Sequence, residues 1–315
     1  MRRHAALFLF LFSFLIACEK DIPVEVTQES YAIPGEQFFP EGIAYDPYAG
    51  VFYTGSTVTG DIVRVNVRTI AAELFAPGAK QNRSFCTGMK LDHKDRLWVC
   101  GGDEGKVHLI NKHGESEKIW DLRTLYGAGF VNDCDLDKHY IYFTDSRVQK
   151  IYRASVSGSP GDIEEWLTFT NQQIPYAATG TNANGIVLTP DGKYLIIVIS
   201  SSGKLYRIDR ASKAIIEITL NAPVTSGDGL WLDGNTLYVS RNALNKIFPV
   251  TLSNDYTSGG VGNGFGENLL FNTTIAKAGK FLLVVNGQLN RRPNPANPNP
   301  VPPVLPFTVS RVPIP

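Results

Sequence analysis

The chain repeats itself, and no other feature of the sequence constrains its fold as strongly. A short apolar segment, a turn, a β-rich segment, a polar turn and a second β-rich segment recur along its 315 residues. Copies begin at PEGIAYD (40–46), CTGMKLD (86–92), VNDCDLD (131–137), ANGIVLT (183–189), GDGLWLD (227–233) and TTIAKAG (273–279). The alternation of apolar and polar residues in IVRVNV (62–67) and KLYRID (204–209) has the period of a strand, and the DG, GN and AG pairs supply tight turns. No long segment carries an amphipathic 3.6-residue period, so helix should be scarce. Six units of about 45 residues, each a small antiparallel sheet, predict an all-β, six-bladed β-propeller with four-stranded blades. A large β-sandwich is the alternative, but sandwiches lack such even repetition. The last unit lacks a fourth strand at the C-terminus. Residues 24–33, VEVTQESYAI, are expected to supply it and close the ring.

The first residues are a separate matter. Arg2 and Arg3 precede an apolar run from Ala5 to Ala17 that is shorter than the about 20 residues a membrane-spanning helix needs, and the run suits a secretory signal. It ends in Leu15-Ile16-Ala17-Cys18, similar to the bacterial lipobox, in which the cysteine thiol takes a lipid. An ordinary signal peptide and an uncleaved anchor are the alternatives. The expected organisation is a lipoprotein signal at 1–17, a lipidated tether and closing strand at 18–35, and the propeller at 36–315. That implies a bacterial cell-envelope protein held to the membrane through Cys18, periplasmic or surface-exposed. With 30 basic and 30 acidic residues, the formal charge is zero, which gives no basis for nucleic acid as a partner. The chain is expected to work as a monomer.

Aligning the units on their first strands places one oxygen-bearing side chain at the same position in each. These are Glu41, Thr87, Asn132, Asn184, Asp228 and Thr273, spaced 46, 45, 52, 44 and 45 residues apart. The first strands of a propeller line its central channel, so the six should converge on one axis at the top face. Two carboxylates and two amide carbonyls suit a hard divalent cation. Ca²⁺ is favoured over Mg²⁺ because it tolerates irregular oxygen shells, while Mn²⁺ and Zn²⁺ stay open. Thr87 and Thr273 would line the shell beside a bound substrate without ligating metal. A water-filled channel mouth also accepts polar residues, so the register alone does not demand a metal. The next position is glycine in four units, which lets backbones crowd the axis. Asp133 stands there instead in the third unit and is a candidate reacting carboxylate.

Other motifs carry less. Asp133, Asp135 and Asp137 resemble the start of an EF-hand loop, but Lys138 stands where that loop needs glycine. Asp46, Asp92, Asp137 and Asp233 recur at the ends of first strands, where they should cap turns. GGVGNGFG (259–266) reads as a flexible loop. None of the five histidines is placed to reach the channel top, and there is no GxSxG elbow. After Cys18, Cys86, Cys100 and Cys134 allow at most one disulfide.

The register and its identities resemble the gluconolactonase/regucalcin (senescence-marker) family of six-bladed propellers. The resemblance covers about residues 36–315 and is carried by PEGIAYD, VNDCDLD, NGIVLTPDGKYLII and GDGLWLDGNTLYVS. It implies a divalent metal, commonly calcium, on Glu41, Asn132, Asn184 and Asp228. It also implies lactone or ester hydrolysis, with Asp228 as base or nucleophile and Asp133 as second choice. The histidine pair of paraoxonase-type relatives has no counterpart here. Nor does the arginine and aspartate set that contacts sugar lactones, which leaves the substrate open. Loops between second and third strands should open on the metal's face. They offer Asp145, Arg147 and Arg241 as substrate contacts. The long proline-rich loop at 287–306 is either a surface linker or a wall over the channel mouth carrying Arg291 and Arg292. A non-catalytic propeller that binds a ligand or protein around a structural metal, or a cell-surface interaction lipoprotein, is the alternative to a hydrolase.

Overall fold

The computed structural model describes residues 23–157 and 160–315. Cys18 and the segment expected to be a signal lie outside the described residues. The chain opens with β1 (Ser30–Ile33) and then builds antiparallel units. The first is β2 (Pro40–Asp46), β3 (Val51–Ser56), β4 (Ile62–Asn66) and β5 (Ala72–Ala76). The second is β6 (Met89–Leu91), β7 (Leu97–Cys100), β8 (Lys106–Ile110) and β9 (Ser116–Asp121). The third is β10 (Val131–Leu136), β11 (Tyr140–Asp145), β12 (Lys150–Ser155) and β13 (Glu164–Thr168). The fourth is β14 (Ala183–Leu188), β15 (Tyr194–Ile199), β16 (Lys204–Asp209) and β17 (Ile215–Leu220). The fifth is β18 (Gly227–Asp233), β19 (Thr236–Arg241), β20 (Lys246–Leu252) and β21 (Ser258–Val261). The last is β22 (Asn272–Ala278), β23 (Phe281–Asn286) and β24 (Phe307–Pro313). Among the described residues the one α-helix is α1 (Leu122–Tyr126), capped by Asp121, so helix is as scarce as expected.

The first strands β2, β6, β10, β14, β18 and β22 pack each against the next, and β22 packs back on β2. That closed circle is the propeller axis. The second strands lie behind it and are buried apolar runs, as in Leu195 to Ile199 of β15. Six hydrophobic clusters fill the wedges between neighbouring units. One, around Trp98, Trp120 and Phe143, joins the second unit to the third. Another, around Phe39, Phe52 and Phe307, joins the last to the first. Each fully buried aliphatic or aromatic side chain stabilises by about 1.5–3 kcal/mol, so cohesion resides between blades as much as within them.

The ring closes as the sequence predicts. β1 pairs antiparallel with β24, Ser30 opposite Ser310 and Ile33 opposite Phe307, and is the outer strand of the last unit. Two features depart from the reading. GGVGNGFG is not wholly loop: Ser258–Val261 forms β21, antiparallel to β20. β21 also pairs parallel with β17, Thr219 opposite Ser258, so the fourth and fifth units share one eight-stranded sheet. Gly259 explains this. A Cβ there would press on Leu252, Val250 and Leu220, and without one the strand lies flat across them. Asp46, Asp92 and Asp137 each accept backbone N–H bonds in the turn that follows, as expected. Cys86, Cys100 and Cys134 are buried free thiols.

Candidate functional site

A repeated irregularity aims the ring residues inward. In five first strands the pairing slips at the ring position, for example between Val131 and Cys134 and between Ala183 and Ile186. Such a bulge places two residues against one and re-aims a side chain. The sixth, β6, begins only at Met89, after Thr87 and Gly88. The neighbouring glycines make room. Gly42 has φ +61°, and a Cβ on it would collide with the Thr87 carbonyl. One on Gly185 would collide with the Asp228 carbonyl.

Glu41, Asn132, Asn184 and Asp228 line one cavity of about 550 Å³ at the channel mouth. All four are deeply buried, 4–5% exposed. Thr87 joins them, with its hydroxyl donating to the carbonyls of Val131 (3.0 Å) and Cys100 (3.2 Å). Thr273 is fully buried and its hydroxyl has no hydrogen-bond partner, but it does not line the cavity.

The amides are held in one orientation. Ser146 donates its hydroxyl to the Ala183 carbonyl (2.6 Å), so its oxygen is left to accept from Asn132 Nδ2 (2.8 Å). Ser200 repeats the relay one unit on, donating to the Gly227 carbonyl and accepting from Asn184 Nδ2 at 3.1 Å. With both NH₂ groups engaged, the amide oxygens are the groups available to a cation. Asn242 Nδ2 donates to Asp228 Oδ2 (3.1 Å) and fixes that carboxylate.

Charge is poorly compensated. Burial raises Glu41 well above the usual carboxylate range, and the charges of Asp228 and Asp133 add to it. Burial lifts Asp228 to about 7, against the opposing hydrogen bond from Asn242. Burial lifts Asp133 to about 6, with Lys90 pulling the other way. Glu41 Oε2 is buried without a hydrogen-bond partner. Leaving such an atom unsatisfied is costly, and three mutually repelling buried carboxylates compound the cost. A hard divalent cation would relieve both, so the residues present fit one. Among the described residues no group of three or more His, Cys, Asp or Glu is arranged to hold a metal, so such a site must draw on the amides.

The remaining expected site residues are placed elsewhere. Asp133 does not line the cavity. Its carboxylate accepts the N–H of Cys134 (2.8 Å) and is packed against Gly88, so it acts on the ring through charge. Asp145 is also withdrawn. It accepts the backbone N–H groups of Gly129, Phe130, Arg147 and Val148 and clamps the loop before β10 to the loop after β11. Arg147 pairs with Asp103, lies over the Phe130 ring and lines an adjoining recess that shares Phe130 with the cavity. Arg241 donates to the Thr225 carbonyl (2.9 Å) and lies over Phe248, away from the cavity. No histidine lines the cavity.

Two further registers belong to the site and escaped the sequence reading. One is the residue just after each second strand: Thr57, Ser200 and Asn242 line the cavity, and Ser146 holds Asn132. The other lies two residues before each ring position. Phe85, Phe130, Ser226 and Phe271 stand there and line the cavity, Phe85 edge-on to Phe130 at 5.8 Å, while residues 179–181 and Ser201 add hydroxyls and backbone. The sequence carries the signal for both registers at fixed offsets from the ring positions, such as the phenylalanine two residues before Thr87, Asn132 and Thr273.

No protein-family model matches the chain, and no curated protein matches it. Solved structures do. The Malassezia sympodialis allergen Mala s 1 superposes with a TM-score of 0.67 at 14% identity, over 91% of this chain and 96% of that one. A calcium-binding protein, regucalcin, from Agrobacterium tumefaciens gives 0.63 at 14% identity, over 90% and 94%. Luciferin-regenerating enzyme gives 0.63 at 13% identity, over 92% and 95%. At such identities the likeness is one of fold.

Proposed function

We propose that the chain is a divalent-cation-dependent hydrolase of a lactone or related ester, akin to the gluconolactonase/regucalcin propellers. The observation that carries the reading is the buried ring of Glu41, Asn132, Asn184 and Asp228 at the floor of an open cavity, with an unsatisfied Glu41 oxygen and amides pre-set by serines. Those four residues would hold the cation, with Ca²⁺ preferred and Mg²⁺, Mn²⁺ or Zn²⁺ as alternatives. When bound, it would supply polarisation of the substrate carbonyl.

The rest belongs to the chain. The Phe85, Phe130 and Phe271 wall shields the floor from water and orients the substrate. Asp228, steadied by Asn242, takes the proton of the water that attacks the carbonyl carbon and returns it to the alkoxide oxygen as the acyl C–O bond breaks. Asp133 stays tied to backbone and tunes the ring's charge. Thr87 has both hydroxyl contacts within the fold and shapes the floor.

Asp228→Asn tests the assignment. Loss of a positioned base costs about 10²–10⁴-fold in rate. At Ca²⁺ concentrations that saturate the variant, lactone hydrolysis should fall by that much, with the melting temperature nearly unchanged. The second reading is a ligand-binding propeller with a structural cation, favoured by the depth at which the ring is buried. It predicts the opposite: no hydrolysis to lose, and a collapse of calcium-dependent stability. We further propose that Cys18 carries a lipid and holds a monomeric propeller at a bacterial envelope membrane.

A further inference from the structure

The loop between β23 and β24, residues 287–306, is tied to itself at the cavity edge. Gln288 donates to the Val304 carbonyl and accepts the Val304 N–H, both at 2.8 Å, and Arg291 Nη1 donates to the Pro302 carbonyl (2.9 Å). These ties present Leu289, Asn290 and Arg292 to the cavity. Arg292 is the one arginine that lines the cavity, and it differs from those in the neighbouring loops. Arg291 is spent on Pro302, Arg147 on Asp103 and Arg241 on Thr225. Among the described residues the Arg292 guanidinium makes no hydrogen bond or ion pair, and its one contact of note is the Phe85 ring, 4.8 Å from the centroid. Burial works against its charge, and the acid that counters this, Asp103, is already paired with Arg147. Arginine stays charged in proteins and carries five donors. A partly buried guanidinium with none of them used is poised for an oxyanion.

We propose that Arg292 reads a carboxylate on the bound molecule, whose apolar stem lies along Phe85, Phe130 and Phe271. The polarity of the cavity sets the direction of binding. The floor carries Glu41 and Asp228, which repel an anion or, with a cation bound, sum to little net charge. The anionic end therefore goes to the rim and a neutral carbonyl to the floor. This names the substrate class of the hydrolase reading, a lactone or ester carrying a carboxylate on an apolar stem. The binding site itself stands whether or not turnover follows.

Calorimetry with 3-phenylpropanoate and 3-phenylpropan-1-ol isolates the charge on a shared stem. In saturating Ca²⁺ the acid should bind the wild-type chain at least ten-fold more tightly than the alcohol. Arg292→Met should remove that advantage, and Arg292→Lys, which restores charge without the fork, should recover part of it. Melting curves of both variants check that the fold is intact. Absence of acid binding, equal binding of acid and alcohol, or an advantage that survives in Arg292→Met would overturn the proposal. An advantage lost on chelation but kept in Arg292→Met would assign the carboxylate to the cation instead. Arg292-dependent acid binding in a chain that hydrolyses no lactone would retire the hydrolase reading and keep this one. Hydrolysis without an Arg292-dependent preference would do the reverse.

Discussion

At the scale of the residue, the site depends on atoms whose orientation is fixed by neighbours. Ser146 has a single hydrogen to give, and it goes to Ala183. Asn132 must then point its NH₂ at Ser146 and its oxygen elsewhere. Ser146→Ala removes that constraint without emptying the core. Partners of this kind set ligand affinity by about 10–100-fold, so Ca²⁺ affinity should fall within that range with little change in melting temperature. Calcium titration of Ser146→Ala beside wild type reads this directly, and unchanged affinity would mean the relay is incidental. His108 gives a second test, away from the axis. It is fully buried, neither ring nitrogen is within hydrogen-bond reach of a partner, the Glu104 carboxylate standing 3.8 Å from Nε2, and burial lowers its pKa against the pull of Glu104. A depressed folded-state pKa means the unfolded chain binds the proton more readily. The stability that neutral His108 contributes is therefore complete above about pH 6.5 and is lost as pH falls below it. Melting temperatures of wild type and His108→Leu should diverge with pH between 7 and 5, wild type losing more. Parallel curves would exclude His108 as the cause. Taking the difference between the two chains removes the opposing contribution of Asp228, whose raised pKa favours the fold at low pH.

At the scale of the element, strands and their order were legible because burial imposes a period. Half-buried strands alternate, as in KLYRID, and central ones run apolar, as in YLIIVI. The convergence of Glu41, Asn132, Asn184 and Asp228 on one cavity is legible for a related reason: a repeat fold puts equivalent positions in equivalent places, so register substitutes for contact. Side-chain engagement was not legible. Asp145 looks like a free top-face carboxylate in TDSRVQ, yet four backbone N–H groups consume it, and those donors come from a loop 15 residues away as well as its own. The parallel pairing of β21 with β17 was hidden too, because glycine-rich composition describes what a segment lacks and not what it lies against. β1 yields the clearest prediction at this scale. Tyr31 and Ile33 are fully buried in the cluster that joins the last unit to the first. Removing a buried aromatic costs about 3–5 kcal/mol. A chain lacking residues 23–33 should melt far lower than the full chain or fail to fold. Tyr31→Ala, a milder lesion, should lose stability in that range. Because β1 is held by backbone pairing along β24, a peptide of residues 23–33 added in trans should restore part of the loss. A truncated chain as stable as the full one would show the ring closes without it.

At the scale of the whole molecule, the two faces are distinct, and the chain enters from one of them. Val24 N–H donates to the Pro47 carbonyl (2.7 Å), Tyr45 donates to the Val24 carbonyl (3.0 Å), and Arg311 reaches the Val26 carbonyl (3.1 Å). Pro47 lies in the turn after β2, at the opposite end of that strand from Glu41. The N-terminal segment thus crosses the face away from the cavity before β1 rises along β24. With Cys18 lipidated as proposed, four residues separate the anchor from Pro23, and the five steps from Cys18 to Pro23 span at most about 18 Å. So short a tether leaves the turn face against the bilayer and the cavity facing water, which suits a water-borne anionic substrate. The buried state of Cys86, Cys100 and Cys134 makes this measurable, since a cysteine introduced at the surface can be labelled alone. His139 is an exposed residue in the turn between β10 and β11, and Ala296 is exposed in the long loop beside the cavity. In vesicles with a headgroup quencher, a fluorophore on His139→Cys of the lipidated chain should be quenched strongly, and one on Ala296→Cys weakly. Equal quenching would mean the propeller tumbles on its tether, and the reverse order would place the cavity against the membrane, so either result removes the orientation argued from Val24, Tyr45 and Arg311.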